Sequence, residues 1–488
     1  MSTRNYLAFD LGASSGRALI GRFDGSKVQL NEIHRFPNGA TELPSGLHWN
    51  ALGLFDEIVT GLRKAASEDL VSLGLDTWGV DFGLLDSQGE LIGLPYCYRD
   101  SRVDGMMDAA FTTVPREEMF DRTGIQFMPF NSVFQLLAMV KAQSAHLGTA
   151  ETFLMMPDLF NYWMTGAKVC EFSNATTTQC FDPRTRGWAT EMLASLGIPT
   201  GIFPEVVLPG TSLGPLRPAV AAEAGVGELQ VIAPACHDTG SAVAATPLAS
   251  EDSLYISMGT WALMGAEIGE PSINAQSLAH NFTNEGGVNG TYRFLKNICG
   301  LWLVQESQRT WEVAGNALSF DELTQRARQA APLVALIDPD DPEFVAPGDM
   351  PARIRAACEK SGQQPPSDEG AIIRCAVDSL ALKCRYVLNS LQEALGKSYS
   401  TIHVVGGGIQ NTLLCQLIAD ATGLEVLAGP IEATALGNIL VQAIANGDIA
   451  DLAQGREVVR ASTPVETYSP LTSPAWDDAY GRFTQLYT

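Results

Sequence analysis

The chain has 488 residues and a formal net charge of −24. That surplus of carboxylates argues against nucleic acid or an anionic membrane as partners, since both need a basic face. A small-molecule ligand stays open, because local charge decides that, and the length predicts two large domains.

The opening "MSTRNYLAFDLG" goes straight into an apolar strand, with no basic segment, long apolar run or cleavage site, so no signal peptide is expected. No stretch approaches the length of a membrane span. The nine cysteines are scattered and lack CxxC spacing, which points to reduced thiols and a cytoplasmic setting. Cys358 and Cys375 are close enough in sequence to meet across a short loop.

Strand-like and helix-like segments alternate along the chain. "YLAFDLG" and "RALIGRFDG" read as two strands joined by a turn, and "LVSLGLDTWGVDFGLLDSQGELIG" as further strands. "NSVFQLLAMVKAQSAHL" and "AETFLMMPDLFNYWMTG" have helical spacing, the second ending at Gly166. "LQVIAPACHDTGSAVAATP" reads as a buried strand, a small-residue turn and a helix; "SLYISMGTWALMGAEIG" reads as another strand, glycine turn and strand. "KNICGLWLVQES" reads as a mostly apolar helical run carrying Asn297 and Gln305. "IDPDDPEFVAPGD" and "SGQQPPSDEG" read as surface loops.

Toward the C-terminus, "DEGAIIRCAVDSLALKCRYVLNSLQEALGK" predicts a long amphipathic helix. A strand "TIHVV", a glycine turn, a helix, a strand "LEVLAGP" and a helix follow. The class is α/β. Each half opens with a strand, glycine turn and strand, at 10–17 and 257–265, and a boundary near residue 248 suits both.

Four loops invite a chemical reading. In "DLGASSGR", Asp10 stands at a strand end, and Gly12 and Gly16 are free to take positive φ. Backbone amides there can converge on an anion, with hydroxyls from Ser14 and Ser15 and charge from Arg17. A plain hairpin turn is the alternative. "HVVGGGIQNTLLCQL" resembles a dinucleotide loop, but Asn411 stands where the last glycine of GxGxxG belongs. Close approach of a nucleotide to Gly406–Gly408 is one reading of the loop, and a tight turn is the other. "LGKS" at 395–398 lacks the P-loop glycine, because Leu391 is in its place, and Gly396 reads as a helix C-cap.

The fourth loop, "CHDTGSA" at 236–242, has the Asp-Thr-Gly-Ser of an aspartic protease. A protease dyad needs two matched Asp loops in all-β lobes, and this chain is too helical for that. Asp238 alone fits a different task, accepting the proton of an attacking sugar hydroxyl beside a phosphate site. His237 can hydrogen-bond a sugar hydroxyl, and no nearby His/Cys cluster suggests zinc. Trp78 can pack on a sugar face or fill a core.

The ordered set "DLGASSGR", "DTWGVDFGLLD", "GLPYCYRDSR", "TGIQFMPFN", "SNATTTQ", "HDTGSAV", "SMGTWALMG", "NEGGVNGTYRFLKNICGLWL" and "VVGGGIQNTLLCQL" resembles the FGGY carbohydrate kinase family over nearly the whole chain. Within the family it is most similar to the kinases of L-rhamnulose. The resemblance implies an actin-like ATPase fold: two ribonuclease-H-like α/β domains, 1–248 on the sugar and phosphate side and 249–488 on the nucleotide side, with an interdomain cleft. It implies transfer of phosphate from ATP to the 1-hydroxyl of L-rhamnulose, giving L-rhamnulose 1-phosphate and ADP.

By matching motifs, Asp238 would be the catalytic base; Gly79, His237, Asp238, Thr239 and Asn297 would bind sugar. Ala13, Ser14, Ser15, Gly16, Arg17, Thr260, Gln305 and Gly407 would bind ATP, and Asp10 would help hold Mg2+ through water. Another ketose, such as L-fuculose or a xylulose, is the alternative substrate. A non-catalytic sugar- or nucleotide-binding protein is a further alternative.

Overall fold

A computed structural model describes residues 3–487. The chain divides into two compact units that interleave in sequence. The first contains the chain up to Pro247, Glu267–Phe294 and Ala433–Thr463; the second contains Leu248–Ala266, Leu295–Glu432 and the chain from Pro464.

In the first unit, strands β1 (Arg4–Leu11), β2 (Ser15–Phe23), β3 (Val28–Pro37), β4 (Leu70–Thr77), β5 (Ser212–Pro215) and β6 (Gln230–Ile232) form one sheet in the order β5-β6-β4-β1-β2-β3. β1 is antiparallel to β2 and parallel to β4, β4 is parallel to β6, and β6 is antiparallel to β5. The central strands are apolar runs because the sheet is covered: Leu7, Phe9, Leu73, Leu75 and Val231 are fully buried. Helix α1 (Ala51–Lys64) turns Leu54, Ile58 and Leu62, four residues apart, into that core. Each such side chain contributes about 1.5–3 kcal/mol when fully buried. Gly61 lets α1 close on the sheet, since a Cβ there would lie 2.6 Å from the Phe9 ring.

Helix α2 (Asp238–Ala244) follows β6 and packs against the helix Ala433–Ala445. The approach is backbone to backbone: any side chain at Gly437 would overlap the Ser241 carbonyl.

In the second unit, β7 (Ser253–Met258), β8 (Trp261–Ile268, its last two residues in the first unit), β10 (Thr401–Val405), β11 (Glu425–Ala428) and β12 (Glu466–Tyr468) pair in the order β8-β7-β10-β11-β12, while β9 (Tyr292–Cys299) starts in the first unit, passes into the second at Leu295 and leads into helix α3 (Trp302–Val313). Their directions are antiparallel, parallel, parallel, antiparallel. β2-β1-β4-β6-β5 repeats this pattern in the first unit, so the similarity glimpsed between the two hairpins extends through five strands. The long helix is α4 (Glu369–Leu395), ending at Gly396 with φ 62° as expected, and α5 (Thr412–Thr422) covers the same sheet.

Three local expectations change. "NSVFQLLAMVKAQSAHL" makes two helices, Ser132–Lys141 and Ala145–Thr149, because Gln143 takes φ 50° between them. "AETFLMMPDLFNYWMTG" begins as a strand, Thr152–Met155, paired antiparallel with Phe82–Leu85; the helix runs over Met156–Thr165 and ends at Gly166 with φ 94°. The loop "IDPDDPEFVAPGD" is not wholly superficial: Asp338 and Asp340 lie 3.1 and 2.7 Å from Nζ of the buried Lys383. A buried ammonium needs such partners, which helical spacing around Lys383 does not reveal.

All nine cysteines are buried free thiols, Cys358 and Cys375 among them. Among the described residues no helix is long and apolar enough to cross a membrane.

Candidate active site

The β1–β2 hairpin places Asp10 opposite Arg17 in register, and Arg17 Nη2 donates to Asp10 Oδ2 at 2.5 Å. Arg17, expected to supply charge to a phosphate, thus also anchors the carboxylate. The turn's carbonyls are held by the protein: Gly12 O accepts from Asn38 Nδ2 at 2.8 Å, Ser14 O from Asn38 N at 3.0 Å, and Ser15 O from Gly12 N at 2.9 Å. This leaves the amide side of Ala13 and Ser14 toward any anion. Neither Gly12 nor Gly16 has positive φ. Gly16 is required for space instead, since a Cβ would overlap the Phe36 ring.

Asp76 on β4 pairs in register with Asp10 on β1. It is fully buried, accepts from Asn438 Nδ2 at 2.6 Å on Oδ2, and has no hydrogen bond to Oδ1 among the described residues. Burial, then the charges of Asp10 and Asp238, hold its carboxyl well above the usual range.

Asp238 opens α2, where the helix N-terminus favours negative charge. Its Oδ1 accepts from the Thr239 amide at 2.6 Å and hydroxyl at 3.2 Å, and His237 Nε2 lies 3.4 Å from the same oxygen. Among the described residues no hydrogen bond reaches Oδ2, and the side chain keeps 30% exposure. Burial raises the Asp238 carboxyl above the usual range, His237 works against this, and the Asp10 charge adds to it.

The loop before α2 is held from below by Glu171. Its Oε1 accepts from the Ser173 amide at 2.8 Å; its Oε2 accepts from the Ser173 hydroxyl at 2.5 Å and the Cys236 amide at 2.9 Å. Ser173 Oγ then accepts from the His237 amide at 3.1 Å. Burial pushes Glu171 up to about 7 against these donors, which favour its charged form. The Thr77 amide donates to Cys236 O at 2.9 Å, which brings "DTWG" against this loop.

Gly79 packs on Thr177, whose Oγ1 would lie 3.1 Å from a Cβ and accepts from the Val80 amide at 3.2 Å. Val80 has φ 65°, a strained conformation for a β-branched residue that costs about 1–3 kcal/mol. Ser132 Oγ donates to Val80 O at 2.5 Å and holds it there. Trp78 is 6% exposed, donates to Asp81 Oδ2 at 3.0 Å and packs on Trp49, so it serves the core.

In the second unit, Thr260 sits in the β7–β8 turn and donates to Gln305 Oε1 at 3.0 Å. The start of α3 clamps this turn, as Gly300 N and Trp302 N donate to Thr260 O at 3.1 and 3.2 Å. A Cβ at Gly300 would lie 2.6 Å from Gly259 O. Asp340 Oδ1 accepts from the Cys299 amide at 2.6 Å, tying the Lys383 cluster to the same turn. The run expected to be helical is a strand up to Cys299, so Asn297 lies half-buried on β9 and only Gln305 is helical.

Gly406, Gly407 and Gly408 are not equivalent. A side chain at Gly408 would overlap Met258, and a Cβ at Gly406 would lie 3.0 Å from Met258 O, at φ 89°. At Gly407 nothing lies within 4 Å, so this glycine alone leaves room for a ligand.

Within the first unit the structure therefore gathers Asp10, the Ala13–Arg17 turn, Asp238, Thr239, His237 and Gly79; within the second it gathers Thr260, Gln305 and Gly407. Asp76, Glu171 and Ser173 were not read as site residues from the sequence. Among the described residues no group of three or more His, Cys, Asp or Glu is placed to hold a metal ion.

The N-terminal domain of the FGGY family of carbohydrate kinases matches residues 5–245, and the C-terminal domain matches 254–446. A rhamnulokinase from Bacteroides thetaiotaomicron is 43% identical over 482 residues, covering 98% of this chain and 99% of the relative. One from Pectobacterium carotovorum subsp. carotovorum is 41% identical over 490 residues, covering 100% and 97%. A ligand-bound xylulose kinase from Lactobacillus acidophilus superposes with TM-score 0.81 at 14% identity, over 99% of this chain and 97% of that one. A Plasmodium falciparum glycerol kinase with ADP gives TM-score 0.76 at 14% identity, over 99% and 97%. These likenesses show the fold, a mixed α/β architecture of the actin-like ATPase kind with two sheet-containing domains. With both family domains matched in order across the chain, it belongs to the FGGY family of carbohydrate kinases.

Proposed function

We propose that this ATP-dependent sugar kinase phosphorylates L-rhamnulose on its 1-hydroxyl, with Asp238 as the general base. The observation that carries the substrate is the 41–43% identity to rhamnulokinases over essentially complete chains. The base is supported by the geometry at Asp238, where Oδ1 is saturated with donors and Oδ2 is left to accept.

In this mechanism Oδ2 takes the proton of the 1-hydroxyl as O1 bonds to the γ-phosphorus and the bridge to ADP breaks. A carboxyl whose pKa burial raises above the usual range is a stronger base once ionised, which suits the task. His237, Thr239, Gly79 and Asn297 bind the ketose, and Val80, held in its strained form, fixes the Gly79 carbonyl side. The Ala13–Arg17 turn takes phosphate through backbone amides and the Ser14 and Ser15 hydroxyls. Thr260, Gln305 and Gly407 take the nucleotide, with Gly407 as the point where backbone and ligand can touch. This assigns sugar and phosphate to residues 1–248 and nucleotide to 249–488, although Asn297 belongs by sequence to the latter.

Asp10 and the buried, half-satisfied Asp76 beside it form a hard-oxygen donor set. Mg2+ is usually held by one or two carboxylates together with substrate phosphates, so these residues fit it. Asp10 would hold the ion through water, and the ion would neutralise phosphate charge. The nine free thiols suit a reducing, cytoplasmic setting.

An ADP-release assay over a panel of L-rhamnulose, L-fuculose and D- and L-xylulose tests the substrate. L-Rhamnulose is expected to have the highest kcat/KM; turnover of another ketose in its absence would refute the assignment.

A further inference from the structure

Behind His237 lies an ion pair between Glu285 and Arg293, both within "NEGGVNGTYRFLKNICGLWL". Arg293 is fully buried, and its guanidinium makes three contacts within one unit. Nε donates to Gly286 O at 2.8 Å, Nη1 lies 3.2 Å from Glu285 Oε2, and Nη2 lies 3.1 Å from His237 Nδ1. Glu285, 5% exposed, also reaches His237 Nδ1 at 3.3 Å.

We propose that Arg293, balanced by Glu285, is a positioning residue that fixes the His237 ring with its proton on Nε2, facing Asp238 and the sugar hydroxyl. The proposal rests on the reading of Asp238 as the base.

The argument is one of donors and acceptors. A guanidinium has five N–H donors, no acceptor, and keeps its charge. The nitrogen in front of it, Nδ1, must therefore present a lone pair. A neutral imidazole carries one proton, which then sits on Nε2, the atom 3.4 Å from Asp238 Oδ1. Glu285 alone would do the opposite, because a carboxylate beside Nδ1 draws the proton there.

The pair thus has divided tasks. Glu285 offsets the cost of burying a cation, and Arg293 decides the tautomer. The backbone completes the fixation, since the His237 amide donates to Ser173 Oγ at 3.1 Å. A purely structural role is met by the bond to Gly286 O and the salt bridge; it leaves the third contact, Nη2 to Nδ1, without a purpose. With its proton on Nε2, His237 adds a donor to Asp238 Oδ1, or gives that hydrogen bond to a neighbouring sugar hydroxyl. Either use keeps Oδ2 as the acceptor for the transferred proton.

The test combines ring-nitrogen NMR with kinetics. The protein has six histidines, so His237→Asn assigns the His237 ring signals in enzyme labelled with 15N-histidine. The wild type at neutral pH is expected to show an unprotonated Nδ1 and a protonated Nε2. Arg293→Met is expected to mix the tautomers and to lower kcat/KM for the ketose by about 10²-fold, the scale of a small misplacement, leaving KM for ATP unchanged. Arg293→Lys, which can serve only some of the three partners, is expected to recover part of the loss, and it carries the test if the methionine variant does not fold.

A wild-type Nδ1–H signal would overturn the proposal. So would a folded Arg293 variant with wild-type ring shifts and wild-type kcat/KM, alongside an inactive Asp238→Asn. A fully active Asp238→Asn would overturn the reading of Asp238 as base, and this proposal with it.

Discussion

His237 Nε2 stands 3.4 Å from Asp238 Oδ1, the same oxygen that accepts the Thr239 amide at 2.6 Å. One carboxylate oxygen is thus committed to the protein, and among the described residues no hydrogen bond reaches the other. Replacing Asp238 by Asn keeps the shape but removes the proton acceptor. Under the proposed mechanism kcat falls by at least about 10²-fold, the usual weight of a general base. Calorimetric titration with ATP should give nearly the wild-type Kd, because the carboxylate acts on the sugar proton.

The acid side of the pH–rate profile follows from the same carboxyl. The base must be ionised, so activity is lost as pH falls through its pKa. Burial raises that pKa and the Asp10 charge adds to the shift, so the limb of kcat/KM should lie above the value near 3.9 of a solvated Asp. Charge added at Asp10 by a bound cation removes one cause, so raising Mg2+ should move the limb downward. A limb at or below the solvated value, or one that rises with Mg2+, would contradict this.

The three glycines of the late turn should separate stability from binding. Gly408→Ala forces a methyl into Met258 and should cost about 1–3 kcal/mol, the scale of overpacking, seen as a lower Tm. Gly407→Ala has open space and should leave Tm unchanged while raising KM for ATP. If Gly407→Ala binds ATP like the wild type, that glycine is not where the nucleotide approaches.

Glu171 offers a test of the loop that carries Asp238. Both of its oxygens face donors, so Glu171→Gln must turn an amide NH2 against an N–H or O–H. An unsatisfied buried group costs about 1–3 kcal/mol. The variant should melt earlier and turn over more slowly, because the Cys236 and His237 amides lose their anchor. The titration of Glu171 has its own sign. Its folded pKa is raised to about 7, so its favourable term is present below the unfolded value near 4.3 and is lost as pH rises toward 7.

Much of this molecule was legible in its sequence. Strand–turn–strand hairpins, the long helix and the cap at Gly396 follow from local patterns, and local patterns are what a sequence displays. What was misread depends on partners distant in the chain. Gly16 was read as free to take positive φ, yet Phe36 from β3 is the reason it has no side chain. Asn297 was placed on a helix because "KNICGLWLVQES" is a mostly apolar run, whereas Gly300 follows the end of a strand before the helix starts. Arg293 sits between Tyr292 and Phe294 in a strand buried on both faces, and a charge inside such an apolar run is the one signal that could have marked it. Glu171 carries no such signal, since its donors come from Ser173 and, 65 positions away, Cys236.

The substrate and the site of transfer can be tested together in one measurement, the phosphorus and proton NMR spectrum of the product formed from L-rhamnulose and ATP. A single ketose monophosphate is expected, with its phosphorus coupled to the two C1 protons and one ADP released for each molecule formed. Coupling to any other carbon's protons, or no product from L-rhamnulose, would contradict the proposed function.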